Sequence, residues 1–261
     1  MRERLSDALR RSRKARHGTE LLCERIYRPL AHVLVVPLAW LRTPPPLVAA
    51  ASGVTGLAAA VELGRGELLA AALVLQLKTV LDNADGQLAR LTGRVTAFGR
   101  YLDSECDLLV DAALFAGLGW WTGNGPAAAA GFVAMTVVLS VNFNLERLAR
   151  GGRTARDASV LGRLYDVLYG WQDMLIERLV ERRLRGAGDD ARRAYHDPAT
   201  VGILANMGMS TQLAVFGLCL VVGHPLFFAI VALAELLLVV ALFVRREALV
   251  NVDREVALEH H

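Results

Sequence analysis

Long apolar runs alternate with short arginine-rich stretches along this chain, and the runs have the length needed to cross a bilayer. A spanning helix takes about 20 mostly apolar residues. Six windows meet that demand, at 45–63, 67–91, 98–121, 126–148, 199–222 and 225–245. The pattern predicts an all-α integral membrane bundle of six transmembrane helices. Ahead of the first window, Leu21 to Arg42 mixes Arg25, Arg28, His32 and Arg42 with the run VLVVPLAWL and is interrupted by Pro29 and Pro37. It reads as an N-terminal interfacial amphipathic helix lying on the membrane, with a seventh span as the alternative. Between the fourth and fifth windows, Leu161, Leu164, Leu168, Leu175, Ile176 and Leu179 recur near helical spacing opposite a charged face. That segment is expected to be a cytoplasmic amphipathic helix, interrupted at Gly170. The organisation that results is a basic arm and interfacial helix over 1–43, a six-span domain over 44–248 with a cytoplasmic insertion at 151–198, and a tail over 249–261. The closing LEHH resembles a purification-tag remnant. No internal repeat and no second soluble domain are visible.

Charge orients the bundle. The arm, the stretches Arg90–Arg100 and Arg147–Arg193, and the RRE after Val244 are rich in arginine, whereas WWTGNGP and VGHP carry no lysine or arginine and ELGRGE carries only Arg65. By the positive-inside rule the charged loops and both termini face the cytoplasm, which an even number of spans satisfies. Composition agrees: 54% of residues are apolar, 21% are charged and the net charge is +3. The basic clusters suit anionic headgroups. Nucleic acid is excluded as a partner, because aromatic interleaving and the recognised binding motifs are missing. Three widely separated cysteines argue against a disulfide framework or a zinc site. The charged first residues lack the apolar core of a cleaved secretory signal.

Against this background the stretch Leu81–Asp111 stands out, with five aspartates and one glutamate beside apolar runs. On helices, Asp82 and Asp85 share a face, as do Asp103, Asp107 and Asp111. The short turn around Thr92 to Thr96 makes the two helices antiparallel neighbours, so those faces can converge. Clustered carboxylates near a low-dielectric region repel one another unless something positive binds them. Hard divalent cations with oxygen ligands are the natural counter-charge, and magnesium commonly shares such a site with substrate phosphates. Two metals about 4 Å apart would polarise a phosphoryl group and stabilise its leaving oxygen.

The spacing Asp82-x-x-Asp85-Gly86-x-x-Ala89-Arg90, eight residues, Gly99-x-x-x-Asp103-x-x-x-Asp107 resembles in full the signature of the CDP-alcohol phosphotransferase family. The resemblance covers roughly residues 40 to 245. It implies a membrane enzyme that moves a substituted phosphate group from a CDP-linked alcohol to an acceptor hydroxyl, releasing CMP. It further implies that Asp82, Asp85, Asp103 and Asp107 bind two divalent metal ions, Mg2+ or Mn2+, with Asp107 also the base that takes the acceptor's proton. Gly86, Ala89, Arg90 and Gly99 would surround the CDP moiety, the glycines by close backbone approach and Arg90 through its fork of donors. A homodimer, membrane lipids as partners and an active site at the cytoplasmic interface complete the implied picture. CDP-diacylglycerol is the donor favoured by the resemblance, with a polyol phosphate such as inositol phosphate or glycerol phosphate as acceptor. Relatives joining CDP-inositol to inositol phosphate, or transferring phosphocholine or phosphoethanolamine, are the alternatives. Many relatives open the first span with Pro-Asn and a threonine three residues on; here the run is TPPPLVAAASGVTG, which leaves that helix without the family's contact.

Each position also has a plainer reading. The aspartates could pair with arginines at helix ends, Gly86 and Gly99 could serve helix packing, and Arg90 could be an orienting charge. Lys78, one turn before Asp82, could neutralise that aspartate when metal is absent or reach a substrate phosphate. Arg147, Arg150, Arg153, Arg156 and Arg163 are either an anion pocket for the acceptor or ordinary flanking charges. Asp111 supports the metal centre from outside the signature or partners an arginine. Glu235 faces the bundle or a dimer partner, and His32, His196 and His224 lack metal-ligand spacing. Two other functions fit a polar membrane bundle. An intramembrane prenyltransferase would need a second separated aspartate motif, and a cation transporter would show repeated halves or broken helices in matching positions; neither is found.

Overall fold

The computed structural model describes residues 18–149, 160, 163, 166–185, 195 and 197–259, and every regular element among them is helical. A π-helical turn at Cys23–Tyr27 leads into α1 (Arg28–Trp40), followed by α2 (Pro45–Arg65), α3 (Leu68–Leu91), α4 (Ala97–Thr122) and α5 (Gly125–Ala149). A second π-helical turn at Asp166–Gly170 precedes α6 (Trp171–Leu184), and α7 (Pro198–Ala205), α8 (Met209–Val221) and α9 (Leu226–Glu259) complete the order. Local chemistry sets the boundaries. α2 opens on prolines, whose missing N–H costs nothing in a first turn, and stops at Gly66 in the left-handed region. The Thr96 hydroxyl caps α4 by accepting the Gly99 N–H at 3.0 Å.

α2, the Gly125–Leu148 part of α5 and the Leu226–Ala248 part of α9 are long and apolar enough to cross a membrane, and α7 with α8 forms a fourth candidate bent by 46°. Six spans were expected. α3 and α4 fall short in apolarity, not length: at 24 and 26 residues they reach about 36–39 Å at 1.5 Å per residue. Their aspartate-bearing ends, with Lys78 and Glu105, bring the charge. At Gly170 the chain keeps right-handed helical dihedrals, so the expected interruption is a change from π- to α-type hydrogen bonding within a continuous helical path.

α2 is the spacer that positions the site. A Cβ on Gly56 would lie 2.5 Å from Val110, and one on Gly117 would lie 2.7 Å from the Ala60 carbonyl oxygen, so α2 and α4 meet almost backbone to backbone. On its other side the Ser52 hydroxyl donates to the Lys78 carbonyl at 3.2 Å. α2 thus packs extensively on both α3 and α4, while those two have little backbone approach to each other. The faces of the two helices do converge, as their antiparallel arrangement implied, but across a gap and not in close backbone contact. A gap is needed where long and charged side chains fill the space between the aspartate-bearing ends. Far from those ends, Phe216 stacks on Phe228 with centroids 4.5 Å apart, and Phe115 packs against both, in a core drawn from α2, α3, α4, α5, α8 and α9. α1 buries Ala31 and Val35 beside Ala84 and Leu88 of α3 while Leu30, Val33 and Trp40 remain exposed; apolar residues occupy both of its faces.

Candidate metal and nucleotide site

α3 carries Asp82 and Asp85, and α4 carries Asp103, Asp107 and Asp111 at one-turn intervals. Because α2 holds the two helices apart, the carboxylates point into the gap instead of against a neighbouring backbone. Asp82, Asp103 and Asp107 each present an oxygen within 4.8 Å of the other two. Asp85 is buried and lines the same cavity but stands outside that trio. Lys78, only 1% exposed, donates from Nζ to Asp82 Oδ1 at 3.0 Å and to Asp107 Oδ1. The pairing expected with Asp82 is found, and it extends across the gap to the second helix. A donor set made entirely of carboxylate oxygens suits a hard divalent cation, and the ammonium lodged between two of them marks where positive charge is accepted.

The cavity has a volume of about 350 Å³ and includes all five aspartates, Gly86 and Arg90 in its wall. A Cβ on Gly86 would meet the Arg90 guanidinium at 3.1 Å, and one on Gly99 would meet only the Thr96 hydroxyl at 3.2 Å. Neither glycine lies against another helix, unlike Gly56 and Gly117, so helix packing does not account for them. Gly86 sits under the arginine's charged end; Gly99 supplies the N–H that Thr96 caps. Ala89 and Gly99 are half-buried and lie outside the cavity wall. No described residue of α2 contributes to that wall, in keeping with the missing Asn and Thr of the first span.

Arg147 lies outside the cavity wall, and its guanidinium is 3.6 Å from Asp173, 3.9 Å from Glu177 and donates to Asn144 Oδ1 at 2.7 Å. Asp173 in turn faces the cavity and accepts from Asn144 at 2.8 Å. Arg163 is exposed, and Arg150, Arg153, Arg156 and His196 lie outside the described residues. Glu235 takes a hydrogen bond from Gln212 inside the bundle, His32 is buried on the inner face of α1, and His224 sits edge-on to Phe227.

Several wall residues escaped the sequence reading. Glu20 accepts from the backbone N–H and the hydroxyl of Thr211, at 2.9 and 3.1 Å, and so caps α8 from 191 positions away. A Cβ on Gly208 would collide with that carboxylate at 2.7 Å. Asn83 donates to the Ser210 hydroxyl at 3.1 Å, and Arg28 and Tyr169 also reach the cavity. None belongs to a motif. The available signal was Gly208-Met209-Ser210-Thr211, a helix start without an acidic cap of its own.

Parts of this chain are similar to known proteins. The family described as CDP-alcohol phosphatidyltransferase matches residues 42–168. The chain is similar to the phosphatidylinositol phosphate synthase of Corynebacterium glutamicum, with 35% identity over 119 residues, 44% of this chain and 54% of that protein. It is also similar to the synthase of the same name from Mycolicibacterium smegmatis, with 45% identity over 60 residues, 23% of this chain and 27% of that one. The aligned parts thus span about half of the first relative's length and about a quarter of the second's. Among solved structures, the Mycobacterium tuberculosis phosphatidylinositol phosphate synthase with CDP-DAG bound aligns at a TM-score of 0.39 and 22% identity, over 78% of this chain and 94% of that one. The span similar to the CDP-alcohol phosphatidyltransferase family is just under half of the chain, and it contains the complete aspartate signature from Asp82 to Asp107.

Proposed function

We propose that this chain is a membrane transferase that moves a substituted phosphate group from a CDP-linked alcohol to an acceptor hydroxyl and releases CMP. The convergence of Asp82, Asp103 and Asp107 within 4.8 Å across two helices carries the reading. Two divalent cations, Mg2+ or Mn2+, supply counter-charge and polarise the phosphoryl group when bound. Asp82, Asp85, Asp103 and Asp107 are the residues to hold them. Arg90, folded over Gly86, steadies the diphosphate through its fork of donors, while Gly86 keeps the floor beneath it low; Ala89 and Gly99 flank the same pocket. Asp107 takes the proton of the acceptor hydroxyl as its oxygen attacks the phosphorus bearing the donor's alcohol. The bond from that phosphorus to the oxygen it shares with CMP breaks, and CMP leaves.

The donor we favour is CDP-diacylglycerol and the acceptor a polyol phosphate, because the relatives' name describes a phosphatidyl group joined to inositol phosphate. Arg147, Arg150 and Arg153 are the candidate partners of the acceptor's phosphate; Arg147 would have to loosen its hold on Asp173 and Glu177. In the membrane, α3 and α4 serve as the second and third of six spans, with their aspartate-bearing ends at the cytoplasmic interface. α1 lies along the surface, both termini are cytoplasmic, and the chain acts as a homodimer. The exposed Leu30, Val33 and Trp40 support the placement of α1. A donor-by-acceptor panel with product mass spectrometry, with and without Mg2+ or Mn2+, tests the reading. CDP-diacylglycerol with inositol phosphate should yield a phosphatidyl product and CMP only when metal is present. CMP from CDP-inositol alone would move the chain to a soluble donor. No CMP from any donor, beside cation flux in liposomes, would overturn the enzyme reading.

A further inference from the structure

The charged residues between α3 and α4 form two levels. Asp82 and Asp107 face each other at one level, and one helical turn deeper stand Lys78 on α3 and Asp111 on α4. Lys78 does not stay at its own level. Its ammonium rises to bridge Asp82 at 3.0 Å and Asp107, the positions assigned to metal. Asp111, 6% exposed and in the cavity wall, makes no ion pair or hydrogen bond with any described residue. A buried carboxylate without a partner is costly. A buried ammonium crowded by two divalent cations would be costly for the converse reason.

We propose that Lys78 is an exchangeable counter-ion: it holds Asp82 and Asp107 together before metal binds, and it swings one turn deeper to pair with Asp111 when metal takes its place. The inference rests on the metal reading above. A lysine suits the task because its charge is a compact point on a flexible four-carbon stem, so one side chain can serve carboxylates at two levels without backbone movement. Lys78 and Asp111 are therefore positioning residues. They set how much of the metal's binding energy is spent on displacing a resident cation, and Asp111 lowers that cost by receiving it.

Mn2+ titration of the purified full chain in detergent, followed by electron paramagnetic resonance of free Mn2+, tests this with Lys78→Met, Asp111→Asn and the double variant. Thermal melting in EDTA reports folding in parallel. Lys78→Met should tighten Mn2+ binding, on the order of tenfold, while lowering the melting temperature of the metal-free protein. Asp111→Asn should weaken binding by a similar factor when Lys78 is present and have little effect when it is Met. Equal weakening in both backgrounds would make Asp111 a direct source of field and overturn the exchange. So would no weakening in either. If Lys78→Met does not fold, Lys78→Gln and the single Asp111→Asn variant carry the test: unchanged Mn2+ affinity in Asp111→Asn then overturns the proposal. Absence of Mn2+ binding by the unmutated chain would instead overturn the metal reading itself.

Discussion

At the residue scale, the site depends on side chains that have been given room. Gly86 supplies it beneath Arg90, with only 3.1 Å between a hypothetical Cβ and the guanidinium. Gly86→Ala is expected to fold normally, displace Arg90 and raise the donor's KM by about tenfold, as steady-state kinetics beside a thermal melt would show. Asp107→Asn keeps the shape of the side chain but removes the charge and, with it, the proposed base. Transfer should fall by at least about 10²-fold with the fold retained, and substantial residual turnover would remove Asp107 from the role of base. The signature aspartates were legible because their fixed spacing survives in the linear chain. Glu20, Arg28 and Asp173 were not, since each reaches the cavity from a distant segment and nothing in its own neighbourhood distinguishes it from an ordinary capping or surface residue. Lys78 fell between: its one-turn offset exposed the pairing with Asp82, while the bridge to Asp107 needed the third dimension.

At the element scale, helix starts and the spacer helix decide the geometry. The Asp197 carboxylate caps α7 by accepting the Thr200 N–H at 3.1 Å and faces Arg245 at 3.3 Å. Partial burial pushes its pKa up, but the bonds from Thr200 and the charge of Arg245 outweigh that and hold it below the ordinary value of 3.8. A lowered folded-state pKa stabilises at pH above that ordinary value, and the contribution disappears as pH falls through the lowered one. Asp197→Ala should therefore cost about 0.5–2 kcal/mol near neutral pH, and the gap in melting temperature to the unmutated protein should close in strong acid. Helix type and order could be read from apolar runs with considerable success. The separation of α3 and α4 could not, because a short turn dictates antiparallel direction but not interaxial distance. That distance is set by the small residues of α2, whose effect depends on which faces Gly56 and Ala60 present.

At the scale of the whole molecule, the arginine asymmetry and the six-span reading make one topological prediction. A cysteine at Asn124 or His224, introduced separately into a chain whose native cysteines are replaced, should react with an impermeant thiol reagent added outside intact cells. A cysteine at Arg94 should react only after the membrane is opened. Equal external labelling at all three would reject the orientation. The cavity wall has a different consequence. Residues 42–168 hold the family match and the aspartates, yet Glu20, Arg28, Asp173 and Gly208 to Ser210, all outside that span, help enclose the space beside them. Transplanting the matched segment into a distant relative would carry over the aspartates but leave behind part of the wall that surrounds them. Change in those outer segments can therefore reshape the cavity while leaving every aspartate of the signature in place.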